Sequence, residues 1–176
     1  MPCEGPVHYR RATIEDAAGI AQVHIDGWQR AYEELVPEAY LRCRSTLQRE
    51  EFWRSELALE AADRKPWVAL DGEQIIGFAD GGIARDDDLD SGTGEVYTLF
   101  VTPECWEKGI RSRLVDHVAR DLRDHDFQQV VFWVLEADQV MRDFAVYTGF
   151  REDGHTREED CGGVIVTELR YAKSLV

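Results

Sequence analysis

The 176-residue chain is 44% apolar and 31% charged, the balance of an ordinary globule long enough to bury about 70% of its unfolded surface in one core. Its 35 acidic residues outweigh 20 Lys and Arg, for a formal charge of −15 at pH 7, which argues against nucleic acid as a partner because neutralising phosphates requires a basic surface. No apolar run approaches the roughly 20 residues of a membrane span, and the opening MPCEGPVHYRR lacks the apolar stretch of a signal peptide; the expectation is one domain over residues 1–176, in the cytoplasm and without a membrane partner.

Elements can be assigned in chain order. A strand at Val7–Arg11 leads to Thr13 and Asp16, which have capping-box spacing with aspartate in place of the usual Glu or Gln. Ile20, Val23, His24, Gly27 and Trp28 then recur at helical intervals, predicting a helix over 14–28. VPEAYLRCRS and STLQREEFWRSELALEAA read as helical, with Ser45 as the cap of the second piece. The period then changes: Trp67–Leu70 and Gln74–Gly82 are strand-like runs around Asp71-Gly72, a strong hairpin signal. Glu95–Val101 is the next strand, followed by a helix over 109–124 and a buried strand over Gln129–Leu135. Asp138 caps a helix running to Thr148, Gly149 stops it, and GVIVTELRY makes a last strand. An early hairpin and a helical crossover between two strands that must lie parallel give a mixed α/β sheet rather than a doubly wound one.

Cysteines at 3, 43, 105 and 161 form no CxxC pair, so free thiols are expected rather than a zinc knuckle or a disulfide framework. In RDDDLDSGTGE, Asp86, Asp88 and Asp90 alternate as at the start of a calcium loop, but Ser91 stands at the sixth position and Tyr97 at the twelfth. A mobile acidic lid beside a binding site is the better expectation, and no metal site is assigned.

The stretch EVYTLFVTPECWEKGIRSRL is a strand running into a Gly-containing loop and a helix start, the shape of an anion site built from unpaired backbone amides and the helix dipole. It is neither a Walker loop nor a GxGxxG fingerprint. With about 100° per residue, Arg111 falls on the same stripe of this helix as Val115, Val118 and Leu122, where an apolar side chain would be usual.

Taken in order, these pieces resemble the GNAT-type N-acetyltransferase family over nearly the whole chain. The family's pyrophosphate loop, Gln/Arg-x-x-Gly-x-Gly/Ala, falls on Trp106-Glu-Lys-Gly109-Ile-Arg111, and its later Asn, Phe-Tyr and Gly-Phe fall on Asp138, Phe144-Ala145 and Gly149-Phe150. GWQRAYEELVPEAYL and TREEDCGGVIVTELRY look like the branch with a Trp and a Tyr ahead of a Pro. The resemblance implies a mixed, mostly antiparallel sheet flanked by helices, with acetyl-coenzyme A as the acetyl donor and a primary amine as acceptor. By that likeness the backbone of Leu99, Phe100 and Val101 holds the pantetheine arm, Trp106, Glu107, Lys108, Gly109, Ile110, Arg111 and Ser112 cradle the pyrophosphate, and Asp138 also meets the cofactor. Glu95 is the candidate base, acting through water, and a backbone N–H at Phe100 or Val101 the oxyanion donor. Trp28 and Tyr32 are candidate acceptor-pocket walls, and His24 on their face reads as a packing residue.

Two positions depart from the family pattern. Arg111 replaces a small residue where the helix comes closest to the phosphates; its guanidinium either pairs with phosphate or fills the site. Ala145 replaces the tyrosine that would protonate the leaving thiolate. Tyr147 is the nearest candidate acid, although it lies about 200° further round the helix; Tyr32, Tyr40 and Tyr97 are further phenols. The alternative reading is a catalytically impaired binding or regulatory module on the same fold, and binding of another phosphate-bearing ligand is a third. The acceptor, as a small molecule or a peptide amine, stays open, as does the choice between a monomer and a homodimer.

Overall fold

The computed structural model describes residues 5–59 and 65–176. The strands are β1 (Val7–Arg11), β2 (Trp67–Asp71), β3 (Gln74–Ile83), β4 (Thr93–Val101), β5 (Gln129–Leu135), β6 (Arg151–Asp160) and β7 (Ile165–Ser174). The helices are α1 (Ala17–Tyr32), α2 (Glu38–Leu41), α3 (Thr46–Ala58), α4 (Ile110–Asp124) and α5 (Gln139–Tyr147). The strands form one seven-stranded sheet in the order β1-β2-β3-β4-β5-β7-β6. Every neighbouring pair is antiparallel except β4 and β5, the two joined through α4, as the crossover argument requires.

Local chemistry accounts for most boundaries. The Asp16 carboxylate accepts from the Thr13 amide at 2.7 Å, closing a 3₁₀ turn over Ile14–Asp16 before α1 begins. Ser45 Oγ accepts from the Gln48 amide at 3.1 Å and Asp138 Oδ1 from the Met141 amide at 2.9 Å, so both expected caps are made. The Asp71-Gly72 turn joins β2 to β3 with Gly72 at φ +60°. The helix expected over 14–28 extends to Tyr32 because its apolar stripe continues under α2. The expected end of the next helix, 60–62, lies outside the described residues.

Two expectations are corrected. REDGHTREED, which has no alternation and to which the sequence assigns no element, is β6; all ten residues are exposed on a charged strand at the sheet edge, where solvent rather than a core meets both faces. Cys105, expected as a free thiol, is buried and disulfide-bonded, whereas Cys43 and Cys161 are free.

The sheet is covered on both faces. On one, α1 and α3 bury Ile20, Val23, Trp53 and Leu57 against Val68, Ile75 and Phe78. On the other, α4 buries Ile110, Leu114, Val115, Val118 and Leu122, and α5 adds Ala145. Each such side chain contributes about 1.5–3 kcal/mol of burial. Gly27 lets α1 cross β4 at contact distance: a Cβ there would stand 2.4 Å from Phe100 Cδ1.

Candidate active site

β4 and β5 pair only from Thr93↔Gln129 to Val96↔Phe132. Beyond that point β4 runs on to Val101 and β5 to Leu135 without pairing to each other. One extra residue of β4, Tyr97, is accommodated where the β3 register shifts between Gly81↔Val96 and Asp80↔Thr98, a bulge at the point where the strands part. A cleft of about 660 Å³ opens between them, lined by Tyr97–Val101, Trp106 and Arg111 on one side and by Phe132–Leu135 and Asp138 on the other.

The ladder decides which backbone groups face this cleft. Thr102 donates its amide to Ile76 O at 2.8 Å, and Gly77 stands opposite Val101. Since hydrogen-bonded and non-bonded pairs alternate along an antiparallel ladder, Phe100 turns its N–H and C=O toward β3, while Leu99 and Val101 turn theirs toward β5. Trp106 Nε1 donates to Val101 O at 2.7 Å, on that outward side. Of the three residues expected to hold an extended ligand, Leu99 and Val101 have the right backbone orientation. Phe100 instead contributes its ring, 5.4 Å from the His24 ring.

The cleft leads to the start of α4. Pro103–Lys108 form a 3₁₀ turn, Gly109 takes φ +69° with nothing within 4 Å of a hypothetical Cβ, and the first intrahelical bond runs from Arg113 N to Gly109 O at 3.2 Å. The amides of Ile110, Arg111 and Ser112 therefore have no partner within the helix and carry its positive dipole end. Ile110's side chain is fully buried in the core. The helix stripe reaches the cleft rim at its first turn, and there the Arg111 guanidinium lies 4.5 Å over the Trp106 ring and lines the cleft. Burial lowers the Arg111 pKa, and the charge of Asp138 opposes this.

Glu95 lies on β4 opposite Val131, one pair before the strands separate, and just short of Tyr97, the first β4 residue that lines the cleft. It is 4% exposed and accepts the Arg85 amide at 3.1 Å. Burial raises its pKa above the ordinary carboxylate value; the Arg85 bond and charge and Arg157 lower it, and Asp86 raises it further. Trp28 and Tyr32 stack at 5.2 Å between ring centroids, with the Arg44 guanidinium 4.4 Å over Trp28. Both aromatic residues line the cleft. Burial, then Glu168 and Glu159, raise the Tyr32 pKa well beyond that of a free phenol. Tyr97 also lines the cleft, but its hydroxyl donates to Ile83 O at 2.5 Å.

Tyr147 is not brought to this constellation. It is 83% exposed on the outer side of α5, as its angular offset from Ala145 requires. His24 lines the cleft with Nδ1 accepting from Trp53 Nε1 at 3.2 Å, and burial followed by Arg49 and Arg44 lowers its pKa to about 3. It is thus a neutral ring at neutral pH. Trp133, Arg157, Glu159 and Glu168 also line the cleft; in the sequence Trp133 reads as strand core and the others as solvated charges. The acidic loop was expected to move as a lid. Instead its Asp86 and Asp88 carboxylates are bound by the buried Arg170.

The family model for acetyltransferases of the GNAT family matches residues 25–150, and the chain belongs to that family. In sequence it is similar to the uncharacterized N-acetyltransferase YuaI of Bacillus subtilis, with 29% identity over 143 residues, 81% of this chain and 79% of that protein. Its fold is similar to that of the PaiA N-acetyltransferase of Thermoplasma acidophilum, solved in complex with coenzyme A, with a TM-score of 0.75 at 18% identity over 97% of this chain and 99% of that one. It is also similar to YncA, a putative acetyltransferase from Salmonella typhimurium solved with acetyl-CoA, with a TM-score of 0.73 at 16% identity over 98% and 95% of the two chains.

Proposed function

We propose that residues 1–176 form one N-acetyltransferase domain that moves an acetyl group from acetyl-coenzyme A to a primary amine. The observation that carries this reading is the parting of β4 from β5, which leaves the Leu99 and Val101 backbone edge facing a cleft that ends at the amides of α4. An extended amide-bearing arm can pair with that edge as an added strand, and a diphosphate fits the Ile110–Ser112 amides beside Gly109. In this reading the Arg111 guanidinium, resting on Trp106 beside the α4 amides, pairs with a phosphate rather than filling the site. The impaired-module alternative draws no support from the cleft or from the family match.

Acetyl-coenzyme A supplies an activated thioester when bound. The chain's own residues then divide the work. Glu95, its basicity raised by burial, takes the ammonium proton through a water molecule, so that the neutral amine forms the new C–N bond as the C–S bond breaks. The amide of Leu99 or Val101 donates to the acetyl oxygen as negative charge develops there. Tyr32, the cleft phenol that burial keeps protonated, supplies the proton for the departing thiolate in place of the tyrosine absent at Ala145, and its oxygen recovers a proton from the newly acylated nitrogen through water. Trp28 and Tyr32 form the wall against which the acceptor packs.

Calorimetry with acetyl-coenzyme A, followed by thiol release across amino-sugar, polyamine, peptide and small-molecule amines, tests the reading. Binding with amine-dependent thiol release is expected. No heat of binding would overturn the enzyme reading, and binding without release from any amine would revive the module.

A further inference from the structure

Arg170, on β7 opposite Trp133 of β5, is 2% exposed and meets three carboxylates. Its Nε donates to Asp153 at 2.7 Å, and Nη1 and Nη2 form a fork on Asp88 at 2.8 and 2.7 Å. Nη1 also reaches Asp86 Oδ2 at 3.2 Å, and the same oxygen accepts from Trp133 Nε1 at 3.0 Å. His155 adds an edge contact, with Nε2 3.4 Å from Asp88. One residue before Asp86, the Arg85 amide is the donor to Glu95 at 3.1 Å, and the Arg85 side chain lies 3.6 Å over the Tyr97 ring.

A buried ion cluster is a poor source of net stability, because desolvation offsets most of the attraction. What this one achieves is geometric. It binds residues 82 and 84 positions away in the chain and fixes the β3–β4 connection whose Arg85 amide meets Glu95. We propose that Arg170 is a positioning residue for Glu95: by holding Asp86 and Asp88 it keeps the 84–92 loop against the Glu95 carboxyl group, with the Arg85 N–H bonded to it and Trp133 locked as a wall of the cleft. This rests on the reading of Glu95 as the base.

The charged groups facing Glu95 are Arg85 and Asp86 from the loop and Arg157 from β6; Gly82 of β3 and Val131 of β5 flank it in the sheet. Because burial outweighs the groups that favour the anion, lifting the loop admits water and returns the Glu95 pKa toward the ordinary carboxylate range. The acid limb of kcat/KM then moves to lower pH, and a weaker base lowers the plateau.

The test uses Arg170→Lys, which keeps the charge but loses the fork, and Asp88→Asn, a change at a half-exposed side chain that leaves the buried cation in place. Two readouts are taken: hydrogen exchange of the Arg85 amide by NMR, and the pH profile of acetyl transfer. Each variant is expected to exchange the Arg85 amide about tenfold faster or more, to lose about tenfold in kcat with KM for acetyl-coenzyme A little changed, and to shift its acid limb downward. Should Arg170→Lys not fold, Asp88→Asn carries the test alone. An Arg85 amide as protected as in the parent, with an unmoved acid limb, would overturn the proposal. Glu95→Gln separates the two readings: wild-type kcat in that variant rejects Glu95 as the base, whereas the Arg85 exchange rate in Asp88→Asn still reports whether the clamp holds the loop.

Discussion

The two ends of the cleft are built in different ways. At the end proposed for the cofactor the cleft offers backbone groups: the outward edge of β4 at Leu99 and Val101 and the first amides of α4, all from a single run of about 15 residues. At the end proposed for the acceptor the cleft is lined by side chains from α1, β5, β6 and β7, among them Trp28, Tyr32, Trp133 and Arg157. A backbone site depends on where strands part and helices start, and tolerates wide variation in side chains. A side-chain site depends on which residues a long chain brings together, so it varies with little cost to the fold.

Substitutions at each end sharpen this contrast. The largest effect is expected at the proposed base: Glu95→Gln should lower kcat by about 100-fold or more while KM for acetyl-coenzyme A stays within about twofold, checked by steady-state thiol release. Next, Gly27→Ala sets a Cβ 2.4 Å from Phe100 Cδ1 and 3.0 Å from its Cβ. Chemical denaturation should record a loss of about 1–3 kcal/mol, and a smaller value would mean that α1 can lift from β4 easily.

Arg111→Gly tests whether the cofactor end is purely backbone. If the guanidinium swings from Trp106 onto phosphate, calorimetry should register an affinity for acetyl-coenzyme A weaker by about five- to tenfold; tighter binding would mean that the side chain obstructs the cleft.

The last effect concerns stability against pH rather than the cleft. His24 has a folded pKa of about 3 against an ordinary 6.5, so the unfolded chain binds more protons between those values. The contribution of His24 to stability is complete above about pH 6.5 and is lost as pH falls toward 3, with a slope of at most about 1.4 kcal/mol per pH unit. Urea midpoints of the parent and His24→Gln, measured from pH 7 to 4, should converge as pH falls. Parallel curves would show that His24 titrates normally.

Much of the cofactor end could be read without coordinates. A strand, a glycine and an amphipathic helix with Arg111 on its stripe are local features, and so are the Ser45 and Asp138 caps, polar residues at helix starts. Tyr147 was the nearest tyrosine to the family's position, yet a turn of helix carries it to the solvent face. β6 escaped notice because a strand solvated on both faces has no alternation to show. The Arg170 clamp was equally hidden, since an arginine late in a strand and a run of aspartates each read as solvated charge until the sheet closes.

By itself, then, the amino-acid sequence determined the order and type of nearly every element, the parallel crossover, and the amide-lined start of α4, because helical and strand periods, caps and turns act over a few residues. Only the tertiary structure decided which backbone edge faces the cleft, that the Arg111 guanidinium rests on an indole, and that an acidic loop is anchored beside Glu95. Those outcomes depend on strand register and on contacts between residues up to 84 positions apart, which no local pattern encodes.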